Sequence, residues 1–150
     1  MAHVRDSILA DIVARIDANA TFTGATFKNR LQPIASDLQY AIVVRAVSEA
    51  VDYSQGMLDS QPQHVMTVAV DAYRKFAGSN DPFSDANDYL ATIEGIMYDG
   101  TTLATLAQGV ELGDFELEHD DSADIDTYRC TQNFIIYYYA REGAPETPII

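Results

Sequence analysis

Near the N-terminus the apolar residues Val4, Ile8, Leu9, Ile12, Val13 and Ile16 recur at steps of three and four, with charged residues between them. That spacing puts one apolar stripe on a helix over about residues 3–18, so the helix packs by a single face. The following TFTGATFKNRLQPIASDLQ mixes Gly24, Pro33 and short polar residues, and predicts a short strand near Ala25 to Lys28 and then loop. From Tyr40 to about Ser48 the chain is rich in β-branched and small apolar residues. From Val65 to Arg74 it alternates, with Met66, Val68, Val70 and Ala72 on one side and Thr67, Asp71 and Tyr73 on the other. Both stretches predict strands. Between them DYSQGMLDSQPQ is too long for a tight turn and predicts a projecting hairpin loop.

Pro82-Phe83-Ser84 opens a second helix, with Ser84 or Asp85 as N-cap, the apolar set Tyr89, Leu90, Ile93, Ile96 and Met97, and Gly100 at its end. Gly95 within it costs about 1 kcal/mol relative to alanine, so this helix depends on packing. TTLATLAQ gives no clear period. Strands follow over about residues 109–119 and 127–140. In the last, Tyr128, Cys130, Phe134, Ile136 and Tyr138 share one face, opposite Arg129, Thr131, Asn133, Ile135, Tyr137 and Tyr139. The closing EGAPETPII holds two prolines and predicts no ladder: it is a free end or an arm laid on a neighbour. The order of elements predicts an α+β fold, a two-layer sandwich in which two helices cover a mixed, mainly antiparallel sheet of four to five strands. Residues 1–141 form the domain and 142–150 an extended tail.

Charge narrows the function. With 23 acidic residues against 9 Lys and Arg, the net charge is −14, opposite to what a phosphate-gripping surface needs. Cys130 is the single cysteine, so no internal disulfide or zinc spacing exists, and its place beside Phe134 and Ile136 reads as a small buried apolar residue. Charged residues from Arg5 to Asp17 interrupt any signal-peptide core, and no apolar run reaches the ~20 residues of a membrane span. The expectation is a protein neither secreted by that route nor membrane-spanning.

The sequence holds no HExxH, no glycine-rich phosphate loop and no GxSxG. His3, His64 and His119 fall at the N-terminus, a hairpin end and the acidic segment, and read as exposed loop histidines. No catalytic residue and no cofactor is expected. The densest polar group is Glu116, Glu118, His119, Asp120, Asp121, Asp124 and Asp126. Asp121, Asp124 and Asp126 are candidate oxygen ligands for Ca²⁺ or Mg²⁺, although the EF-hand pattern is missing. A solvated acidic turn and an electrostatic role in an assembly stay open beside that reading. Tyr137, Tyr138 and Tyr139 must alternate between the sheet faces, so they serve either cross-strand packing or a subunit interface.

The order of these stretches resembles the tail terminator family of long-tailed phages, the lambda U-type minor tail proteins. The likeness runs over about residues 3–140. It rests on the N-terminal helix, Gly24-Ala25-Thr26-Phe27, the apolar strand Ala41 to Val47 and a hairpin containing Leu58-Asp59-Ser60. A second apolar strand ending at Tyr73 follows, then a helix with an acidic start. Last comes a hairpin in which Asp120-Asp121 and Ser122 to Asp124 precede an aromatic strand. The loop at 77–83 and the tail after Arg141 depart from the pattern. The resemblance implies a non-enzymatic virion protein, made in the host cytoplasm, that forms a homo-hexameric ring on the head-proximal end of the tail tube. Its implied partners are its own copies, the tail tube protein and a head-side connector or stopper, with DNA passing through the channel without specific binding and no membrane involved. Interface candidates are Asp52, Tyr53, Gln55, Met57, Leu58, Asp59, Glu118, Asp120, Asp121, Asp124, Tyr137 and Tyr139. A head-completion or neck connector is the alternative, followed by a small acidic metal- or ligand-binding domain.

Overall fold

The computed structural model describes residues 3–29, 38–52, 62–76, 79–98, 107–120, 127–141 and 144–149. Helix α1 spans Val4–Asp17 and buries Val4, Ile8, Leu9, Ile12 and Ile16, the stripe expected from their spacing. Its N-cap is His3, whose Nδ1 accepts a hydrogen bond from the Arg5 backbone N–H at 3.1 Å, satisfying one of the donors a helix start leaves unpaired. At its end the Asp17 carboxylate accepts from the Gly24 N–H at 3.0 Å. Gly24 has φ +79°, a left-handed conformation that a side chain disfavours, and it turns the chain into β1, Thr26–Lys28.

Strand β2, Tyr40–Asp52, lies parallel to β1 and antiparallel to β3, Gln63–Lys75. The sequence pattern ends β2 near Ser48, but the ladder continues to Asp52 paired with Gln63. It can do so because Glu49, polar on the helix-facing side, is fully engaged there. Helix α2, Pro82–Met97, starts earlier than the expected Ser84 or Asp85: Asp81 is the N-cap, accepting from the Ser84 N–H at 3.1 Å, with Pro82 in the first turn where its missing N–H is harmless. Leu90, Ile93 and Met97 are buried as expected, joined by Pro82 and Ala86, while Tyr89 and Ile96 are half-buried. The C-cap is Tyr98; the expected closing Gly100 lies outside the described residues.

Strand β4, Gly109–Asp120, pairs antiparallel with β5, Thr127–Arg141. The register breaks between Leu112 and Phe115. There Gly113 lies so close to Asn133 that a Cβ would meet its Cβ and carbonyl oxygen at 3.2 Å, a tight approach that accounts for glycine at this bulge. The strand order is β1-β2-β3-β5-β4, and α1 and α2 pack on the same face through one core that includes Ile8, Ile12, Val68, Ile93, Phe134 and Ile136. The fold is thus the α+β sandwich anticipated, with the sheet mostly antiparallel and β1 its parallel exception.

The tail is a correction. Ala144–Ile149 forms β6, antiparallel to β5 through Tyr139↔Ile149, Ala140↔Pro148 and Arg141↔Ala144, which makes six described strands instead of four to five. Two prolines do not prevent this, because β6 is an outer strand with only a short, irregular ladder, where a missing N–H can face away from the pairing. Tyr139 pairs on its other side with Gln63 of β3, so β6 occupies the same lane as β4, past the point where β4 ends at Gly109↔Tyr137.

Gly95 is exposed on α2, and a Cβ added there meets nothing within 4 Å. Gly95→Ala is expected to stabilise the fold by about 1 kcal/mol, read as a higher urea midpoint with an unchanged slope.

Candidate assembly surfaces

The helices cover one sheet face, and the opposite face is covered by neither helix. Its residues follow from β-strand alternation: Asp71 and Tyr73 on β3, Thr131, Tyr137 and Tyr139 on β5, and Glu111, Glu116 and Glu118 on β4, each placed by the pairing register.

Asp71 is 1% exposed on this face. Its carboxylate accepts from Arg45 Nε at 2.7 Å, from the Arg45 terminal nitrogen at 3.3 Å, and from the Thr131 hydroxyl. A buried carboxylate survives only with such partners, and the hydrogen bond to Asp71 in turn raises the Arg45 pKa above its ordinary value. One row further along, Arg129 pairs with Glu118, whose side chain is 57% exposed. Near the other end Tyr137 donates to Glu111 Oε2 at 3.0 Å, a bond that pushes the phenol pKa upward because it favours the protonated form.

A second polar group lies beneath the helices and was not legible beforehand. Glu49 accepts from Arg5 at 2.9 Å, from His64 Nδ1 at 3.2 Å and from the Tyr138 hydroxyl. His64 stacks on Tyr138 with ring centroids 4.8 Å apart and planes 19° apart. His64 is therefore not a loop histidine: it sits in β3 with a side chain only 13% exposed. Burial, then the hydrogen bond to Glu49, raises the Tyr138 pKa. His3, above the same cluster, has its pKa lowered first by burial and then by the Arg5 charge. The available signal was Tyr138 itself, since a phenol assigned to the core face requires a polar partner there.

The interface candidates distribute unevenly. Asp52 closes β2, and its partner Gln63 is also the partner of Tyr139, so these three lie in one row across the sheet. Tyr137 and Tyr139 face away from the helices while Tyr138 is buried. Glu118 and Asp120 belong to β4, Asp120 being its last residue opposite Thr127. Tyr53, Gln55, Met57, Leu58, Asp59, Asp121, Asp124 and Asp126 lie outside the described residues, so the candidate metal ligands are not placed. Among the described residues no group of three or more His, Cys, Asp or Glu is arranged to hold a metal ion. Cys130 is buried, as anticipated, and burial raises its pKa, which keeps it a thiol.

The connection between β2 and β3 leaves the sheet beside Tyr139, whereas that between β4 and β5 leaves beside Lys75. These are the two ends of β3, which at 13 residues is about 40 Å long. The two connections are thus attached at opposite ends of β3. No helix among the described residues is long and apolar enough to cross a membrane. Comparison with protein-family models and with curated protein sequences finds no match to this chain.

The two ion pairs on the open face differ in burial and should differ in worth. Asp71→Ala strands Arg45 and Thr131 and is expected to cost about 3 kcal/mol. Glu118→Ala, at an exposed pair, should cost no more than ~0.5 kcal/mol. Chemical denaturation of both variants checks the contrast, and equal losses would contradict it.

Proposed function

We propose that this protein is a structural subunit of a phage tail, a tail terminator whose ring caps the head-proximal end of the tail tube. The observation that carries the reading is the placement of the two hairpin connections at opposite ends of β3. A ring held between a tube and a head-side connector needs a subunit with two separate contact ends, and the ends of β3 from which these connections depart lie about 40 Å apart. Tyr137 and Tyr139, together with the Glu111 and Glu118 rows, provide the remaining face for contacts between copies, since tyrosine suits surfaces that are half wet and half apolar.

Charge supports the same assignment. A subunit carrying −14 gives an acidic channel that does not retain DNA in transit. The same charge makes copies repel one another, so apolar contact and counterions must offset it for a ring to close. A head-completion or neck connector shares this two-ended geometry, and the partner on the capped end separates the two readings.

Electron microscopy of tubes assembled from the cognate tube protein is the test. With this protein present, tubes should be shorter and carry a ring at one end. Unchanged, uncapped tubes together with binding to the head-side connector would assign it to the neck instead. Ring formation of the isolated protein, followed by sedimentation, is expected to strengthen as salt or divalent cation is added; a steady weakening with salt would contradict the repulsion argument.

A further inference from the structure

The outer strand β4 carries a surface that the core does not use, and only its acidic row is shared with the face proposed above for contacts between copies. It ends the strand order, so one side of its backbone has no partner strand among the described residues. Helix α2 packs against β3 and β5 and most of β4 extends past it. In consequence Leu112, Phe115 and Leu117, which the register assigns to the helix-facing side, remain 47%, 45% and 52% exposed. On the other side of the same strand stand Glu111, Glu116 and Glu118. Among the described residues Glu111 accepts from the neutral Tyr137 phenol, and Arg45 and Arg129 are engaged by Asp71 and Glu118. The edge therefore keeps an excess of negative charge.

We propose that β4 takes up an extended segment of a partner protein in which basic and apolar residues alternate. A strand added to this edge places every second side chain beside Leu112, Phe115 and Leu117 and the others beside Glu111, Glu116 and Glu118. The regular run from Phe115 to Asp120, beyond the bulge, is the stretch where such a ladder forms. Charge selects the occupant. A second β4 would set carboxylates against carboxylates. The other strand edges among the described residues are the outer sides of β1 (TFK), of β2 beyond its pairing with β1 (RAVSEAVD) and of β6 (APETPI); their two cations are Lys28 and Arg45, Arg45 is held by Asp71, and none of them alternates cations with apolar residues. A lysine- or arginine-bearing strand from a different protein fits where a second copy does not. This inference does not rest on the tail-terminator reading.

The probe is a fluorescent peptide of about ten residues alternating lysine with valine, compared with a peptide of the same composition in which the lysines and valines form two blocks. Fluorescence anisotropy should show the alternating peptide binding ~10-fold or more tightly than the block peptide. Hydrogen exchange should slow at Phe115 to Glu118 in its complex. Glu116→Arg should weaken binding of the alternating peptide ~10-fold, with exchange in β3 at Ala69 and Val70 unchanged as the check that the fold is intact. Equal binding of the two peptides, or protection elsewhere, would reduce the surface to plain charge attraction and overturn the proposal. Absence of binding would overturn it too and leave the acidic side chains as guards against aggregation. Protection of β4 without peptide, rising with protein concentration, would name a second copy as the occupant and overturn the choice of partner.

Discussion

Much of this molecule depends on a mismatch of widths. Two packed helices have axes about 8–10 Å apart, while strands repeat at about 4.8 Å, so a helix pair cannot roof an entire sheet of this order. Here α1 contacts β1, β2 and, at the far end of the β4 lane, β6, and α2 contacts β3 and β5. The central strand receives the full benefit: Met66, Val68, Val70 and Ala72 of β3 are all buried. The outermost strand receives little, and its apolar side chains remain half exposed. The same mismatch that secures one side of the sheet makes the other side available for contact.

Two carboxylates hold the parts in alignment, one on each face, Asp71 buried and Glu49 largely so. Glu49 joins β2 to α1 through Arg5, to β3 through His64 and to β5 through Tyr138. Asp71 joins β3 to β2 through Arg45 and to β5 through Thr131. A slip of one residue in any of these strands turns an acidic side chain away from its partners and toward apolar ones. Such groups contribute less to stability than their number of bonds suggests, since taking charge out of water is costly. What they do specify is register, which the apolar ladder of alanines and valines leaves loosely determined on its own.

The strands and helices were legible because their periods are clean: the α1 stripe and the alternation of β3 and β5 appear in the structure as the residue spacing implies. Boundaries were less so. Asp81 was passed over as the α2 cap because Pro82 reads as a breaker unless its place in the first turn is known. The end of β2 was hidden because Glu49 looks like a loop residue until Arg5, His64 and Tyr138 converge on it from three distant stretches. The tail's pairing was hidden for a related reason, since prolines signal the end of a ladder and say nothing of an outer strand with a lane left vacant by β4. Of the candidate contact residues, alternation placed Tyr137 and Tyr139 correctly on the helix-free face. The opposite placement of the two hairpins required only the strand order.

That order also shapes how the chain reaches its native state. β5 joins β4 and β6, both its neighbours in sequence, but its pairing with β3 brings together residues as far separated as Gln63 and Tyr139, 76 positions apart. Closing so long a loop carries a chain-entropy cost that the β2–β3 and β4–β5 hairpins avoid. The N-terminal strands with α1, and the β4–β5 hairpin, can each form locally, yet neither has a complete core until the seam between β3 and β5 closes. The middle of the finished sheet therefore joins parts of the chain that local pairing cannot bring together.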